Sequence, residues 1–152
     1  MPKFVVVDEA IINAPPMEVY KAIMNEYSGT THLWLPDLEF KPRDGNPMDR
    51  VGAICDTKAR SHGMTGKFSE KVTAIEPAKS IEFEISGDFT GNEKWTFEPV
   101  EEGKTRAKVD WKGASNKLLL SIVSPFVDVE KELHASRKGF LKTLQNTLGK
   151  TT

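Results

Sequence analysis

The chain is poor in most of the features that announce a function. It has a single cysteine, Cys55, among its 152 residues, so no internal disulfide and no thiolate metal site can form, which suits a reducing compartment. No charge sign dominates, with 21 basic residues against 22 acidic ones and a net charge of -1. No field exists to gather nucleic acid or an anionic membrane, and both are disfavoured as partners. No stretch approaches the ~18 consecutive apolar residues of a transmembrane helix. Asp8 and Glu9 stand where a signal peptide carries its apolar segment. A cytoplasmic protein without stable membrane insertion is therefore expected. Gly-rich phosphate loops, HExxH and GxSxG are all missing. His32, His62 and His134 include no two at metal-ligand spacing, so neither a metal nor a cofactor is expected. His134, beside Leu133 in a helix, should face water.

What is present is an order of elements. With 38% hydrophobic and 28% charged residues, the chain can bury one core, and a single domain over residues 1–152 is expected. Phe4 to Ile12 reads as a strand. Pro15 and Pro16 then start a short helix, where the first N–H groups lack intrahelical partners anyway, and Glu18 complements its dipole. Val19, Ala22 and Ile23 give that helix a buried stripe, and Glu26 to Thr31 stops it. His32 to Leu38 should form a second short helix or turn that tucks Trp34 against a sheet. Strands follow at Val51 to Ala59, Lys67 to Glu76 and Ser80 to Ser86, then around Trp95 and Phe97, and last around Ala107, Val109 and Trp111. Turns are expected at Ser61 to Gly66 and Gly87 to Asn92. Strict alternation puts Ile81, Phe83 and Ile85 on one face and Glu82 and Glu84 on the other.

The closing helix, from about Ser115 to Leu148, carries Ile122, Phe126, Val129, Leu133, Phe140 and Leu144 along one face. Roughly 34 residues at 1.5 Å per residue would span roughly 50 Å. Its first part, Leu118 to Val127, is apolar all round and needs a cover: a loop, a ligand, a second copy in a homodimer, or another protein partner. Pro125 should kink or break it.

These segments resemble the START-like superfamily (SRPBCC), which includes the polyketide cyclase/dehydrase and lipid-transport proteins and the Bet v 1-like allergens. Ile12 to Tyr20 (INAPPMEVY) is similar to the family's opening run, Lys71 to Pro77 (KVTAIEP) to its "VxxIEP" strand end, and Trp95 to Pro99 (WTFEP) to its "WxFEP" strand. The resemblance spans nearly the whole chain, and the order of the three motifs carries it. It implies an α+β helix-grip fold: a curved antiparallel sheet of six to seven strands wrapped around a long C-terminal helix, with two short helices after the first strand. It further implies a cavity between sheet and helix that binds or transports a small hydrophobic ligand, lipid-, sterol- or polyketide-like. A minority of the superfamily are cyclase or dehydratase enzymes, and some relatives bind and activate a chaperone. No universal catalytic residue comes with the resemblance, so a binder is expected before an enzyme.

The expected cavity lining is Trp34, Phe68, Phe83, Trp95, Phe97, Trp111, Phe126 and Leu133, which would serve equally as ordinary core. Glu70 shares strand parity with Phe68 and Val72. Facing inward, it would have a raised pKa and could act as a general acid or base. Otherwise it lies at a strand edge or pairs with a basic residue such as Arg60. The enzymatic alternative uses the pair Glu70 and Arg60, and Asp56 faces the same choice on its own strand. Cys55 is expected to be a small buried apolar residue rather than a nucleophile.

Overall fold

The computed structural model describes residues 3–34, 36–45, 47–61, 64–115 and 129–149. Strand β1 (Lys3–Ile12) alternates exposed and buried positions, with Phe4, Val6 and Ile12 inside. Helix α1 (Pro16–Tyr27) begins behind an extended Pro15 and has Glu18 in its first turn. It runs farther than expected and takes in Glu26 and Tyr27, both buried. The backbone reverses at Gly29, where φ is +73°, a value that glycine adopts without Cβ strain.

The expected second short helix is a turn. Leu33, Trp34, Pro36 and Asp37 have turn geometry, and Leu38 N–H donates to the Trp34 carbonyl at 3.1 Å. The buried Glu26 carboxylate holds this turn, accepting from Thr31 Oγ1 at 2.6 Å, Leu33 N at 3.1 Å and Trp34 N at 2.7 Å. Four residues later the chain enters a strand that sequence patterning did not give, β2 (Leu38–Pro42). A short 3-10 turn, Arg43–Gly45, leads on.

The remaining strands are β3 (Ile54–Ser61), β4 (Met64–Glu76), β5 (Ser80–Gly87), β6 (Phe89–Glu101) and β7 (Lys104–Ser115). All seven form one antiparallel sheet in the order β1-β7-β6-β5-β4-β3-β2. Two expected turns prove shorter than their composition suggests. Met64, Thr65 and Gly66 are paired in β4, and Asp88 alone separates β5 from β6. Gly91 belongs to β6 because of packing. It lies opposite Gly113, and a Cβ there would sit 2.0 Å from the Lys112 carbonyl oxygen. Its φ of +122° and the close backbone approach, rather than a chain reversal, explain that glycine.

Helix α2 (Val129–Leu148) lies on the same face of the sheet as α1, nearest β1. Its buried stripe is Leu133, Arg137, Phe140, Leu141 and Leu144. Three of its polar side chains also bond β1, two at backbone groups of its free edge and one at the inward Asp8 carboxylate. Glu130 Oε1 accepts from Val5 N–H at 3.3 Å, His134 Nδ1 meets Asp8 Oδ2 at 2.7 Å, and Gln145 Nε2 donates to the Ile11 carbonyl at 2.8 Å. The opposite edge, β2, is five residues long and ends in Pro42. One edge is thus covered and the other kept short. The segment 116–128, with Leu118 to Val127, Pro125 and Phe126, lies outside the described residues. Among the described residues no helix is long and apolar enough to cross a membrane.

Replacing Glu26 by alanine would strand three donors around Trp34. We expect a loss of about 2–4 kcal/mol, read as a lower urea midpoint accompanied by altered fluorescence of the folded state; an unchanged midpoint would show that the turn is held by packing alone.

Candidate functional site

Between the sheet's inner face and α2, aromatic rings surround a cluster of polar side chains with almost no exposure. Strand pairing positions two acids. Glu93 on β6 lies opposite Phe83 of β5 and Trp111 of β7, whereas Glu70 on β4 lies opposite Cys55 of β3 and Ile85 of β5. Arg137 comes down from α2, and its Nε and Nη2 donate to Glu93 Oε2 at 2.9 and 2.6 Å. Both side chains of that ion pair are 0% exposed. The Arg137 guanidinium carbon lies 4.4 Å from the Trp111 ring centroid and 5.5 Å from that of Trp34, so indole faces replace part of its lost hydration. Glu93 Oε1 accepts from Tyr27 Oη at 2.6 Å, and Tyr27 Oη accepts from Trp95 Nε1 at 3.1 Å. The result is a continuous chain of donors, Trp95 to Tyr27 to Glu93, closed by Arg137.

Glu70 stands beside this chain. Its Oε1 accepts from Thr57 Oγ1 at 3.3 Å, and Thr57 Oγ1 in turn lies 3.6 Å from Cys55 Sγ. Within this cluster two buried atoms, Glu70 Oε2 and Arg137 Nη1, lack a hydrogen-bond partner among the described residues; Asp8 Oδ2, which meets His134 in an ion pair, and Asp110 Oδ1 are in the same position elsewhere. Burial pushes the Glu70 carboxyl well above its ordinary value of 4.5, and the nearby Glu93 charge pushes it further; Arg137 and the Thr57 hydroxyl only partly oppose this. Burial likewise drives the Tyr27 hydroxyl well up, helped by Glu70 and Glu93. The Cys55 thiol rises well above its ordinary value through burial and then the Glu70 charge. The site therefore holds one ion pair beside three groups whose pKa values burial raises.

Most of the residues expected as cavity lining or core lie in the interior. Trp34, Phe68, Phe83, Trp95, Phe97, Trp111 and Leu133 are all buried. Trp34 stacks on Phe140 with centroids 4.0 Å apart and donates its Nε1 hydrogen to Ser136 Oγ at 3.0 Å, while Phe83 stacks on Tyr27 at 4.5 Å. Phe126 lies outside the described residues. Glu70 faces inward, so the strand-edge alternative fails.

The pair Glu70 with Arg60 also fails. Arg60 is on the outer face, bonded to Glu39 at 3.0 Å. It alternates with the inward Cys55 and Thr57 on β3, which directs it away from the core. Asp56 is likewise outside, in a bidentate contact with Arg43 and a 2.9 Å bond from Ser69 Oγ. An outer cleft of about 400 Å³ opens beside Lys41, Asp56, Lys58 and Ser69. Cys55 is buried, in agreement with its apolar reading. His32 is exposed, and among the described residues no group of three potential metal ligands occurs. His134 is half-exposed as expected, but it is bound to Asp8.

Sequence reasoning missed Arg137, Glu93, Tyr27 and Glu26. Arg137 falls four residues after Leu133 and three before Phe140, squarely on the apolar stripe, so an arginine at that position was the available signal. Glu93 shares parity with Trp95 and Phe97, but the preceding Gly91-Asn92 was read as a turn.

The sequence model of a family described as polyketide cyclase/dehydrase and lipid transport matches residues 3–149. Curated proteins gave no match. Among solved structures, the chain is similar to Ara h 8.0201 (TM-score 0.68, 18% identity, covering 96% of this chain and 97% of that one). It is similar to a START superfamily protein from Mycobacterium smegmatis (TM-score 0.70, 16% identity, 97% and 99% covered). It is also similar to the ZhuI aromatase/cyclase from Streptomyces sp. R1128 (TM-score 0.68, 9% identity, 97% and 94% covered). At these identities the likeness establishes the fold.

Two outcomes follow from the buried charges. Arg137→Met should cost about 3–5 kcal/mol by leaving Glu93 buried without its cation. The double variant with Glu93→Gln should recover much of that, so urea unfolding of the four proteins will give strong non-additivity; simple additivity would show that the pair is not coupled. The second outcome concerns pH. Folded Glu70 keeps its proton above 4.5 whereas the unfolded chain releases it, so its contribution to stability is full below that value and declines as pH rises toward its folded pKa. The limiting slope is about 1.4 kcal/mol per pH unit. Glu70→Gln should remove this decline, and identical pH-stability profiles for the two proteins would refute the assignment.

Proposed function

The chain belongs to the polyketide cyclase/dehydrase and lipid-transport family, and we propose that it binds or carries a small hydrophobic ligand, lipid-, sterol- or polyketide-like, between the inner sheet face and α2. The supporting observation is the polar cluster itself. An ion pair sealed among tryptophans is a poor device for stability, because well-packed apolar residues of similar volume often serve as well or better. Its two unpartnered atoms, Glu70 Oε2 and Arg137 Nη1, are what a site for an apolar molecule with a polar head would present. Aromatic side chains supply the apolar walls, and few polar groups fix orientation.

A second reading, a cyclase or dehydratase type of enzyme, is favoured by one feature: Glu70 is a buried acid whose pKa burial raises well above 4.5, with one oxygen uncommitted. Such a group is suited to donate a proton to a substrate oxygen. Arg60 has no part in this version, and Arg137 takes the place of the cation beside Glu70.

Native mass spectrometry of protein purified from its own host, followed by denaturing extraction, tests both readings. We expect an apolar molecule at about one per chain. A chain that arrives empty and takes up no hydrophobic probe would overturn the carrier reading. Loss of water from the extracted molecule on incubation with fresh protein, abolished in Glu70→Gln, would move the assignment to the enzyme.

A further inference from the structure

We propose that Glu70 Oε2 and Arg137 Nη1 act as a pair of hydrogen-bond donors that selects ligands with a neutral acceptor head, a ketone, ester or lactone carbonyl, over hydrocarbons and over anions. The proposal rests on the ligand-binding reading above and narrows it to a chemical class.

Both side chains are 0% exposed, and every other polar atom they carry is engaged. Arg137 commits Nε and Nη2 to Glu93, which leaves the hydrogens of Nη1. Glu70 Oε1 already accepts the Thr57 hydroxyl, so the carboxyl proton belongs on Oε2. Burial and the Glu93 charge keep that proton in place. Each uncommitted atom is therefore a donor, and the complement of two donors is an acceptor. A buried donor left unpaired carries an uncompensated desolvation penalty, so a ligand that accepts from these atoms relieves a penalty that a hydrocarbon leaves standing. Discrimination on this basis is steep when the site is built to bond a polar group.

Charge excludes the anionic alternative. Arg137 is the cation of the cluster and is already bonded to Glu93. A ligand carboxylate would add a second anion against one cation, beside Glu70 as a latent third, in surroundings that penalise net charge. Tyr27 offers nothing further, since its hydroxyl both donates to Glu93 and accepts from Trp95.

The test compares three naphthalene probes of similar size against the full chain by calorimetry: 2-acetonaphthone, 2-ethylnaphthalene and 2-naphthoate. Quenching of the buried Trp34, Trp95 and Trp111 gives an independent readout of binding inside the fold. In the wild-type protein the ketone should bind about tenfold or more tightly than the hydrocarbon, the equivalent of one relieved donor. The naphthoate should bind weakest. Glu70→Gln, which keeps an N–H donor at this position, should retain the preference, and Glu70→Leu should bring the ketone-to-hydrocarbon ratio toward one. Should the leucine variant fail to fold, the wild-type ratio and the glutamine variant decide the matter. Equal binding of ketone and hydrocarbon would overturn the donor pair and leave the apolar site standing. Tightest binding of the naphthoate would also overturn it, in favour of an anion site. Saturable binding of none of the three would defeat both this proposal and the ligand-binding reading.

Discussion

The ion pair between Arg137 and Glu93 fixes how the helix layer sits on the sheet. Removing both charges from water costs several kcal/mol per ion, and the structure offsets this with two guanidinium hydrogen bonds, a phenol donor and flanking indole faces. A shift of α2 by one residue would rotate Arg137 about 100° off its stripe and leave Glu93 alone in an apolar setting. Sliding and rotation of the helix are thereby penalised far more sharply than leucine packing alone would penalise them. Trp34 depends on the same placement, because it rests on Phe140 and bonds Ser136, both carried by α2. Glu26, by holding the turn that presents Trp34, extends the dependence to α1.

Charges elsewhere have a different weight. Arg43 with Asp56 and Arg60 with Glu39 lie on the outer face with about half of each side chain in water, where solvent screening leaves such pairs little weight in stability. They keep the outer face wet. The difference between the two faces is one of dielectric surroundings rather than of residue type, since the same arginine and carboxylate groups occur on both.

That difference explains what was legible in the chain. The strands from β4 to β7 were readable because alternation such as Ile81, Phe83 and Ile85 reports a half-buried surface directly. Glu70 could be placed by parity with Phe68 and Val72, with no bulge intervening before Val72. Strand β2 was not readable, since Leu38 to Pro42 offers only two inward residues and ends in proline. Arg60 was paired with Glu70 on the strength of opposite charge, although its parity against Cys55 and Thr57 already pointed outward. Arg137 was invisible for a deeper reason. Hydropathy treats arginine as a solvent residue, and only its partners on β6 and β7, more than twenty residues away in sequence, turn a charged position on an apolar stripe into a core residue. A glycine raises the same problem: Gly91 looks like a turn until Gly113 is known to lie across from it.

The covered edge of β1 has a consequence for how the chain comes into being. The first strand made is zipped to β7, a partner about a hundred residues later in sequence, as Lys3 against Ala114 shows. Its other side is covered by Glu130 and Gln145 from the last helix. On the ribosome, β1 therefore waits until β7 has been made, with both hydrogen-bonding edges open and with valines on both faces. Closing so distant a contact carries a large loop entropy and favours slow folding. A strand open to mispairing with a neighbouring chain during synthesis is thus covered only once β7 and α2 have both been made.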